Sequence, residues 1–282
     1  MRVLPFEIPK NPNTTLIYQE DCGPIFYNKL HQHKEVQVSF IRSGQGTLFI
    51  GDNIGSFKEN DMIIIGSNLP HLFKSNNETN SASHMQSIFF NIESIQNSFN
   101  QLLELAVLNP FFEDCKYGFK ISDHDAQFAN CFNQIKEANP FYRIQYFQEL
   151  LYLATNDAKQ LLSSKIYKKP LKAEDGLRMQ KIIDFTIENF KNEIRLNEVS
   201  NIASMSANAF CRYFKNKTNK SYFDYVNELR VEYACKQLLA ESISIAEISS
   251  LSGFNSHSYF NRVFRRQKHM TPKEYIQYHN LV

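Results

Sequence analysis

The sequence predicts an α+β protein of more than one domain, with an N-terminal β-barrel followed by helices and an all-helical C-terminal part that contains two helix-turn-helix motifs. Three observations support this prediction. The first hundred residues contain short apolar segments separated by turn residues. From about Ile95 the apolar residues recur with a period near 3.6 instead of 2. The 282 residues, 43% of them hydrophobic, suffice for two separate cores.

The composition indicates neither a membrane span nor a disulfide framework. No apolar run approaches the ~18 residues that cross a bilayer, and the start MRVLPFEIP lacks the basic and apolar regions of a signal peptide. The five cysteines are scattered and form no C-x-x-C pair, so a zinc cluster is not predicted either. We therefore expect a cytoplasmic protein without a membrane partner.

The net charge of +2 is divided unequally along the chain. Residues 176–282 contain 15 Lys and Arg against 10 Asp and Glu, a balance of +5, which leaves 16 against 19, or −3, for residues 1–175. A basic domain suits a polyanionic partner. We therefore expect nucleic acid to meet the C-terminal half.

Short strands are predicted in the first hundred residues. Val36–Ile41, Gly46–Ile50 and Met62–Ile65 are rich in β-branched and aromatic residues. Turn residues follow them, as at Ser43-Gly44 and Gly51-Asp52-Asn53. Strands of this length and spacing favour an antiparallel sandwich or a small barrel.

Three histidines are predicted to meet inside the barrel. Alternation places His31 and His33 on one face of a strand, and His71 can join them from another strand. The runs HQHKEVQVSFIRSGQG and GDNIGSFKENDMIIIGSNLPHLF resemble the two cupin motifs, and in cupin metalloenzymes the corresponding histidines bind a divalent metal. Gln37 stands where that pattern usually has Glu, so the one anionic ligand is missing.

Two interpretations of this pocket stay open. In the favoured one, no cofactor is required and a small-molecule effector contacts His31, His33, Gln37, Phe40 and His71. In the other, the three histidines hold zinc, nickel or iron. Further aromatic residues at strand spacing are expected to be mostly core and partly pocket wall: Phe49, Phe57, Phe73, Phe89 and Phe90.

Three amphipathic helices are predicted between residues 95 and 162. Their apolar positions are Phe99, Leu102, Leu103 and Ala106 in the first, Phe128, Cys131, Phe132 and Ile135 in the second, and Ile144, Phe147, Leu150, Leu151, Ala154, Ala158, Leu161 and Leu162 in the third. Asn139-Pro140 separates the second helix from the third. The apolar stripe of the third helix can pack on the barrel or on its copy in a second chain, and we predict a homodimer.

The C-terminal part contains a helix-turn-helix motif at Ser244–Tyr275. Ser244 and Glu247 form an S-x-x-E capping box, and Gly253 ends the apolar period of the first helix. Ser256 caps a second helix that buries Phe260, Val263 and Phe264. The opposite face of this second helix is polar and cationic, which suits a DNA major groove.

The motif is duplicated. Leu196, Val199 and Ile202 match Ile245, Ile248 and Leu251 with an offset of 49, whereas Phe210, Arg212, Phe214 and Lys215 match Phe260, Arg262, Phe264 and Arg265 with an offset of 50. Asn219 matches His269, where a left-handed residue is expected to end each second helix. A helix of ~27 Å from Tyr222 to about Leu239 joins the copies. That length sets the two motifs about one DNA turn apart.

The signature Ile245-x-x-Ile248-x-x-x-x-Gly253-Phe254, then Ser258-Tyr259-Phe260-x-Arg262-x-Phe264-Arg265, then Met270-Thr271-Pro272-x-x-Tyr275 closely resembles the DNA-binding domain of AraC-type (AraC/XylS) transcription regulators. The resemblance covers about Gln180 to Tyr278, and the cupin-like half resembles the sensor domain of the same family. Two positions depart from the pattern. Ser204 stands where the turn usually has Gly, and Arg195 stands where the second copy has the capping Ser244, so the first motif is expected to be the less stable one.

The resemblance implies two classes of DNA contact. Base edges are expected to meet Asn208, Cys211, Arg212, His257, Ser258, Asn261 and Arg262. Phosphates are expected to meet Ser206, Lys215, Lys217, Ser256, Arg265 and Arg266. For Arg230 on the joining helix, structural packing is the favoured role.

We therefore predict a sequence-specific, effector-controlled transcription regulator that is not an enzyme and that works on double-stranded DNA, with RNA polymerase as a further partner. The predicted regions are an effector-binding barrel at 1–94, a helical dimerisation and coupling region at 95–162, a linker at 163–175 and the DNA-binding domain at 176–282. The alternatives are a cupin metalloenzyme with an auxiliary DNA-binding domain and an architectural DNA binder without an effector.

Overall fold

The computed structural model describes Ile8 and residues 14–75, 82–122, 126–164, 173–240 and 243–280. The chain divides into two compact units, residues 1–176 and 177–282.

The N-terminal unit contains two antiparallel sheets. The larger sheet has the strand order β1-β7-β2-β5-β8-β9 and the smaller one the order β4-β3-β6. The strands are β1 Ile17–Gly23, β2 Val36–Ser43, β3 Gly46–Ile50, β4 Asn53–Phe57, β5 Asp61–Ile65, β6 His71–Ser75, β7 Ser83–Phe90, β8 Phe119–Ser122 and β9 Gln160–Leu161.

Strand β2 lies inside the larger sheet and separates two apolar cores. Val38 is paired with Ile64 on one side and Ile88 on the other. These three side chains and Phe40 belong to the core that the sheet shares with the helices of this unit. Ile41, on the other face of the same strand, belongs to the core between the two sheets. Strand alternation therefore decides which residues of β2 reach the interior between the sheets.

The described part of this unit also contains the helices α1 Ile92–Phe99, α2 Asn109–Cys115, α3 Gln127–Glu137 and α4 Pro140–Asn156, with a 3-10 helix at Leu103–Leu108 before α2. The predicted break at Asn139-Pro140 is confirmed. The Asn139 side chain accepts hydrogen bonds from the backbone N–H groups of Phe141 and Tyr142, and Pro140 occupies the first helical position.

Two predicted helix ends were wrong. The first helix ends at Phe99 and does not continue to Ala106, because Leu102 and Leu103 are 55% and 87% exposed and have no core to meet. The third helix ends at Asn156, since residues 160–161 pair with β8 and form strand β9.

The two described ends of the predicted linker are ordered: one is hydrogen-bonded to the N-terminal unit and the other is the start of a helix. Residues 165–172 lie outside the described residues. Before them, Ser163 and Ser164 donate hydrogen bonds to the carboxylate of Asp52. After them, helix α5 begins at Ala173, within the stretch predicted as linker.

The described part of the C-terminal unit is helical. Its helices are α5 Ala173–Asn189, α6 Leu196–Ile202, α7 Ala207–Thr218, α8 Tyr222–Ala240, α9 Ile245–Leu251, α10 His257–Lys268 and α11 Pro272–Asn280. Both predicted helix-turn-helix motifs are present, as α6–α7 and α9–α10. With the β-rich unit before them, they confirm the predicted α+β class. Among the described residues, no helix is long and apolar enough to cross a membrane.

Helix α8 joins the two motifs and packs on both. Near its start, the Tyr222 and Tyr225 rings lie 5.3 and 5.2 Å from the ring of Phe214 in α7. Near its end, Val231 and Leu238 share a core with α9 and α10. Its 19 residues span about 28 Å. The helix therefore fixes the spacing of the two motifs by packing as well as by covalent connection.

Candidate DNA-binding surface and effector site

The turns of the two motifs have the same hydrogen bonds at an offset of 49 residues. Ser204 N–H donates to the Asn201 carbonyl, and Gly253 N–H donates to the Ser250 carbonyl, each at 2.9 Å. Both turn residues have a left-handed backbone, with φ of 54° for Ser204 and 86° for Gly253. The sequence departure at Ser204 therefore leaves the turn conformation unchanged and makes a non-glycine residue adopt it.

The change of offset from 49 to 50 arises between the turn and the following helix. The cap Ser206 follows Ser204 by two positions, but the cap Ser256 follows Gly253 by three. Each serine Oγ accepts a hydrogen bond from the backbone N–H three residues later. The extra residue is thus absorbed before the cap, and α7 and α10 begin in the same way.

The first helices of the motifs are capped by different halves of a capping box. In α6 the Glu198 carboxylate accepts a hydrogen bond from the Arg195 backbone N–H at 2.9 Å. In α9 the Ser244 hydroxyl accepts one from the Glu247 backbone N–H at 3.2 Å. The left-handed residues predicted at the ends of α7 and α10 are confirmed, since φ is 57° at Asn219 and 58° at His269.

Helices α7 and α10 each present one polar, cationic stripe to solvent. All their residues are described, and neither contains an Asp or a Glu. The opposite face is buried through Phe210 and Phe214 in α7 and through Phe260 and Phe264 in α10. The exposed residues predicted to contact DNA are Ser206, Asn208, Cys211, Arg212 and Lys215 in the first motif and Ser256, His257, Ser258, Arg262, Arg265 and Arg266 in the second, while Lys217 and Asn261 are partly exposed.

Two of the predicted phosphate-binding residues already have neighbours within the protein. The Arg266 guanidinium donates to the Asp224 carboxylate at 3.0 Å, in an exposed pair. The Lys217 ammonium lies 6.0 Å from the centre of the Tyr213 ring. Lys215 and Arg265 are the cations of this set that lie on the exposed stripes at matching positions.

Sequence reasoning did not single out Tyr259 as a positioning residue. The Arg262 guanidinium lies 5.2 Å above the Tyr259 ring, and the Tyr259 hydroxyl accepts a 2.8 Å hydrogen bond from the Asn227 side chain of α8. Asn227 is itself buried. Helix α8 therefore holds the tyrosine on which Arg262 rests, a long-range contact with no sequence signal.

The favoured structural role of Arg230 agrees with its contacts. Its guanidinium donates to the carbonyls of Phe190 and Asn192 at 2.7 and 2.8 Å and lies over the Phe254 ring. A Cβ at Gly253 would lie 2.5 Å from the same Phe190 carbonyl oxygen. The turn of the second motif is thus packed directly against the end of α5.

In the N-terminal unit, the structure brings the three predicted histidines together. The ring centres of His31 and His71 are 4.1 Å apart, and those of His33 and His71 are 5.1 Å apart. One ring nitrogen of each lies within 4.8 Å of the other two. His31 is bridged to His71 through both backbone hydrogen bonds, which fixes the register of the cluster.

Each histidine has its Nδ1 beside a backbone carbonyl. The partners are Lys29 for His31 at 2.8 Å, Glu35 for His33 at 2.8 Å and Leu69 for His71 at 2.9 Å. Since a carbonyl only accepts, Nδ1 carries the proton in each ring and Nε2 carries the lone pair. In His71 this Nε2 is buried and has no hydrogen-bond partner among the described residues.

Burial keeps the cluster neutral near pH 7. It lowers the pKa of His31 to about 4 and also lowers the pKa of His33. The pKa of His71 falls well below its usual range, first because of burial and then because of its two histidine neighbours. Neutral imidazoles are the form that accepts a hydrogen bond or binds a metal.

Gln37 connects the cluster to two buried serines. Its side chain lies 3.0 Å from His33 Nε2 and 2.8 Å from the Ser39 hydroxyl, which in turn lies 2.8 Å from the Ser87 hydroxyl. The structure places the Gln37 Oε1 against His33 Nε2 and its NH₂ group against the Ser39 hydroxyl. A proton on His33 Nδ1 requires the amide to be turned over, so that its NH₂ group donates to Nε2. This chain is the polar wall of the interior between the sheets.

The prediction that Phe40 lines this pocket was wrong. Phe40 is completely buried and stacks on Phe132 of α3, on the opposite face of β2 from Gln37. The aromatic neighbours of the cluster are Phe89, 5.5 Å from His33, and Tyr27, 5.0 Å from His31.

The chain matches two family models. One is described as an AraC-like ligand binding domain and matches residues 13–154, just over half of the chain. The other is described as a helix-turn-helix domain and matches residues 199–278, which include most of α6 and all of α7 to α10.

Relatives of the chain include transcription regulators from two bacteria. The uncharacterized HTH-type transcriptional regulator YdeC of Bacillus subtilis is 24% identical over 95% of this chain and 92% of its own length. The virulence regulon transcriptional activator VirF of Shigella flexneri is 28% identical over 57% of this chain and 59% of its own length.

Among solved structures, ToxT of Vibrio cholerae is 14% identical and covers 93% of this chain and 97% of its own, with a TM-score of 0.37. The DNA-binding domain of AdpA in complex with a target DNA is 23% identical and covers 36% of this chain and 90% of its own, with a TM-score of 0.34. Because the ligand-binding model accounts for half of the sequence and the helix-turn-helix model for most of the C-terminal unit, the chain belongs to the AraC-type family of transcription regulators.

Proposed function

We propose that this regulator reads double-stranded DNA with α7 and α10 in two successive major grooves, and that a small molecule bound between the sheets of the N-terminal unit controls this binding. The observation that carries the proposal is the pair of matching stripes on α7 and α10. Both are exposed, cationic and free of carboxylates. The 28 Å length of α8 is close to the ~34 Å repeat of a DNA turn.

The residues of each stripe divide by chemistry. Arg212 and Arg262 donate bidentately to guanine, and Asn208 and Asn261 bond to adenine edges. Cys211 is a poor hydrogen-bonder and suits a thymine methyl group. The phosphate contacts come from Lys215, Arg265 and the serine caps, together with Lys217 and Arg266, and they give affinity without sequence preference.

Two substitutions test this division. Arg262→Ala is expected to weaken binding to a selected cognate site by about 1–3 kcal/mol and to relax the preference at one position, whereas Lys215→Ala weakens cognate and scrambled DNA alike. Fluorescence anisotropy at fixed salt measures both affinities. Lys181→Ala, which removes an exposed cation from α5, is the control for lost charge. Equal losses for Arg262→Ala and Lys215→Ala on both DNAs would contradict the assignment.

The effector site is proposed where the polar chain from His33 to Ser87 faces the apolar core between the sheets. Small-molecule sites combine an apolar wall with a few fixed polar groups in this way. Regulation then requires effector and DNA to change each other's affinity by the same factor. A compound found by thermal-shift screening should therefore alter DNA affinity, and equal DNA affinity of the saturated and the empty protein would end this proposal.

A homodimer is proposed from the surface of α4. Phe141, Tyr142 and Tyr152 are 69%, 50% and 49% exposed, and exposed aromatic residues along one helix are typical of association surfaces. Sedimentation equilibrium of the full chain measures the oligomeric state. Cytoplasmic location and contact with RNA polymerase are proposed from the function alone.

The histidine cluster also motivates a rival function, a metalloenzyme with an auxiliary DNA-binding domain. The relatives favour a regulator, since they are named as transcription regulators. An architectural DNA binder is the other rival, and its DNA affinity would be independent of any ligand.

A further inference from the structure

The three histidines of the N-terminal unit are arranged as ligands rather than as ordinary core residues. All three are buried, with His71 completely so. Each Nδ1 donates to a backbone carbonyl, which fixes the tautomer and the ring orientation. Metal-binding histidines are held by the same kind of outer hydrogen bond.

One buried acceptor of the cluster has no hydrogen-bond partner within the described protein. His71 Nε2 is fully buried and accepts no hydrogen bond within the described protein, and leaving such an acceptor unsatisfied costs about 1–3 kcal/mol. A metal ion bound at this nitrogen removes that cost. The remaining ring nitrogens lie within 4.8 Å, and three nitrogens at ~2.0–2.1 Å from one zinc ion lie about 3.3 Å apart, so small ring movements bring them into place.

We propose that His31, His33 and His71 bind one divalent transition-metal ion of the class that prefers nitrogen ligands, and that this ion accepts an anionic group of the effector, of the carboxylate type, as a further ligand. The inference rests on the proposed effector control of this unit and names the chemistry of the effector. Imidazole ligands suit zinc, nickel, copper and iron, and Zn²⁺ is the reference ion here.

The anionic ligand follows from the charge of the site. Among the described residues, the only group of potential ligand atoms in the cluster comes from the three histidines, with no Asp, Glu or Cys in it. Three neutral imidazoles leave the full +2 charge of the ion uncompensated in a buried site, which is energetically costly. An anion from solution compensates this charge. It reaches the cluster most directly at His31, the least buried of the three, which lies beside the half-exposed Tyr27.

Gln37 sets the strength and selectivity of this site. It occupies the place next to His33 Nε2 at 3.0 Å with a neutral amide. A carboxylate there would supply the missing negative charge and strengthen metal binding. With Gln37 instead, the ion depends on the effector for charge compensation, which couples metal and effector binding.

Metal titration of the full chain is the first test. After chelation and dialysis, isothermal titration with Zn²⁺ should give one site per chain, and His71→Ala should weaken it by more than about 100-fold, since loss of an outer-shell partner alone costs about 10- to 100-fold. His84→Ala is the matched control. Its Nε2 is also buried without a partner, but it lies outside the cluster, so Zn²⁺ affinity should be unchanged. Absence of one-to-one binding, or equal affinity of the His71→Ala and unmodified chains, would overturn the metal site.

The variant Gln37→Glu gives a second test of the metal site that does not depend on a histidine variant folding. It is expected to raise Zn²⁺ affinity by about 10-fold or more, because it adds an anionic ligand to a neutral set. It should also lower the melting temperature of the metal-free chain, since a carboxylate would then face the lone pair of His33. Unchanged Zn²⁺ affinity in a folded Gln37→Glu chain would count against the site.

The anionic position is tested with Co²⁺ in place of Zn²⁺. Acetate, as the carboxylate probe, and azide should each change the visible absorption of the Co²⁺-loaded chain, and they should not do so in His71→Ala. A Co²⁺ spectrum that neither anion alters would refute the anionic ligand while leaving the metal site in place.

DNA affinity of the chelated chain is measured in parallel. DNA binding that persists when Zn²⁺ binding fails would reject only this inference, whereas failure of both the chelated and the Zn²⁺-loaded chain to bind any specific DNA would reject the proposed function.

Discussion

The two turns of the duplicated motif allow one stability prediction to be worked out in detail. Gly253→Ala places a Cβ at a residue with φ of 86°, where a left-handed backbone costs an L-residue about 1–2 kcal/mol. The new Cβ would also lie 2.5 and 2.9 Å from the carbonyl oxygens of Phe190 and Lys191. Both are backbone atoms, so relief requires a shift of the α5 end, and overpacking of this kind costs about 1–3 kcal/mol. The expected total loss of unfolding free energy is about 2–5 kcal/mol.

In the first motif, the same left-handed backbone conformation predicts that a substitution to glycine raises the free energy of unfolding. Ser204→Gly removes the left-handed penalty of a residue with φ of 54° but adds conformational entropy to the unfolded chain, so its net effect is a stabilisation below about 1 kcal/mol. Urea unfolding followed by far-ultraviolet circular dichroism measures both variants. Gly55→Ala is the control, because a Cβ there meets nothing within 4 Å. A Gly253→Ala chain as stable as the Gly55→Ala chain would refute the reasoning.

Two further substitutions test the packing assigned above. Phe40→Ala removes a completely buried ring and is expected to cost the N-terminal unit about 3–5 kcal/mol in thermal unfolding, against less than about 1 kcal/mol for Leu103→Ala, whose side chain is 87% exposed; equal losses would contradict the corrected place of Phe40. Tyr259→Phe removes the acceptor of the buried Asn227 amide and is expected to cost about 1 kcal/mol in urea unfolding. Tyr278→Phe, at an exposed tyrosine, serves as its control, and an equal effect would exclude a special role for the Tyr259 hydroxyl.

The helix-turn-helix motifs were predictable because their signals are local. Caps such as Ser256 and left-handed ends such as Asn219 and His269 act within one helical turn, so the residue types alone indicate them. The duplication strengthened the prediction, since a chance motif does not recur with its caps. The contacts that join the motifs, from Asn227 to Tyr259 and from Arg230 to Phe190, connect residues 32 and 40 positions apart and leave no local pattern.

The helices of the N-terminal unit were predicted less well because contacts between residues far apart in the sequence decide where they end. Leu102 and Leu103 continue the apolar spacing of α1, but no core reaches them in the structure. Strand β8 exists because it pairs with β5, about 60 residues earlier, and β9 has only two residues and no period to detect. Tertiary pairing decides such short elements, and propensity does not.

At the proposed effector site, the sequence predicted which residues come together but not the protonation of their rings. The prediction that His31 and His33 lie together is confirmed, but not on one strand, since His31 forms an isolated bridge with His71 and His33 lies before β2. Alternation does apply within β2, where it puts Gln37 and Phe40 on opposite faces because their separation is odd. The tautomer of each histidine was not predictable. The tautomer depends on the backbone carbonyls of neighbouring residues, such as that of Leu69 for His71. The side-chain type of these neighbours does not indicate this role.

The duplicated motif is symmetric in backbone but not in how its arginines are held. At the offset of 50 residues, the position of Tyr259 corresponds to Ala209, so Arg212 has no equivalent of the ring that supports Arg262. An arginine held over an aromatic ring loses less side-chain freedom when it binds a base than one that is free in solvent. The second motif also has the glycine that its turn conformation favours, whereas the first has Ser204. Both differences act in the same direction, and they make α10 the better prepared of the two helices that we propose read DNA.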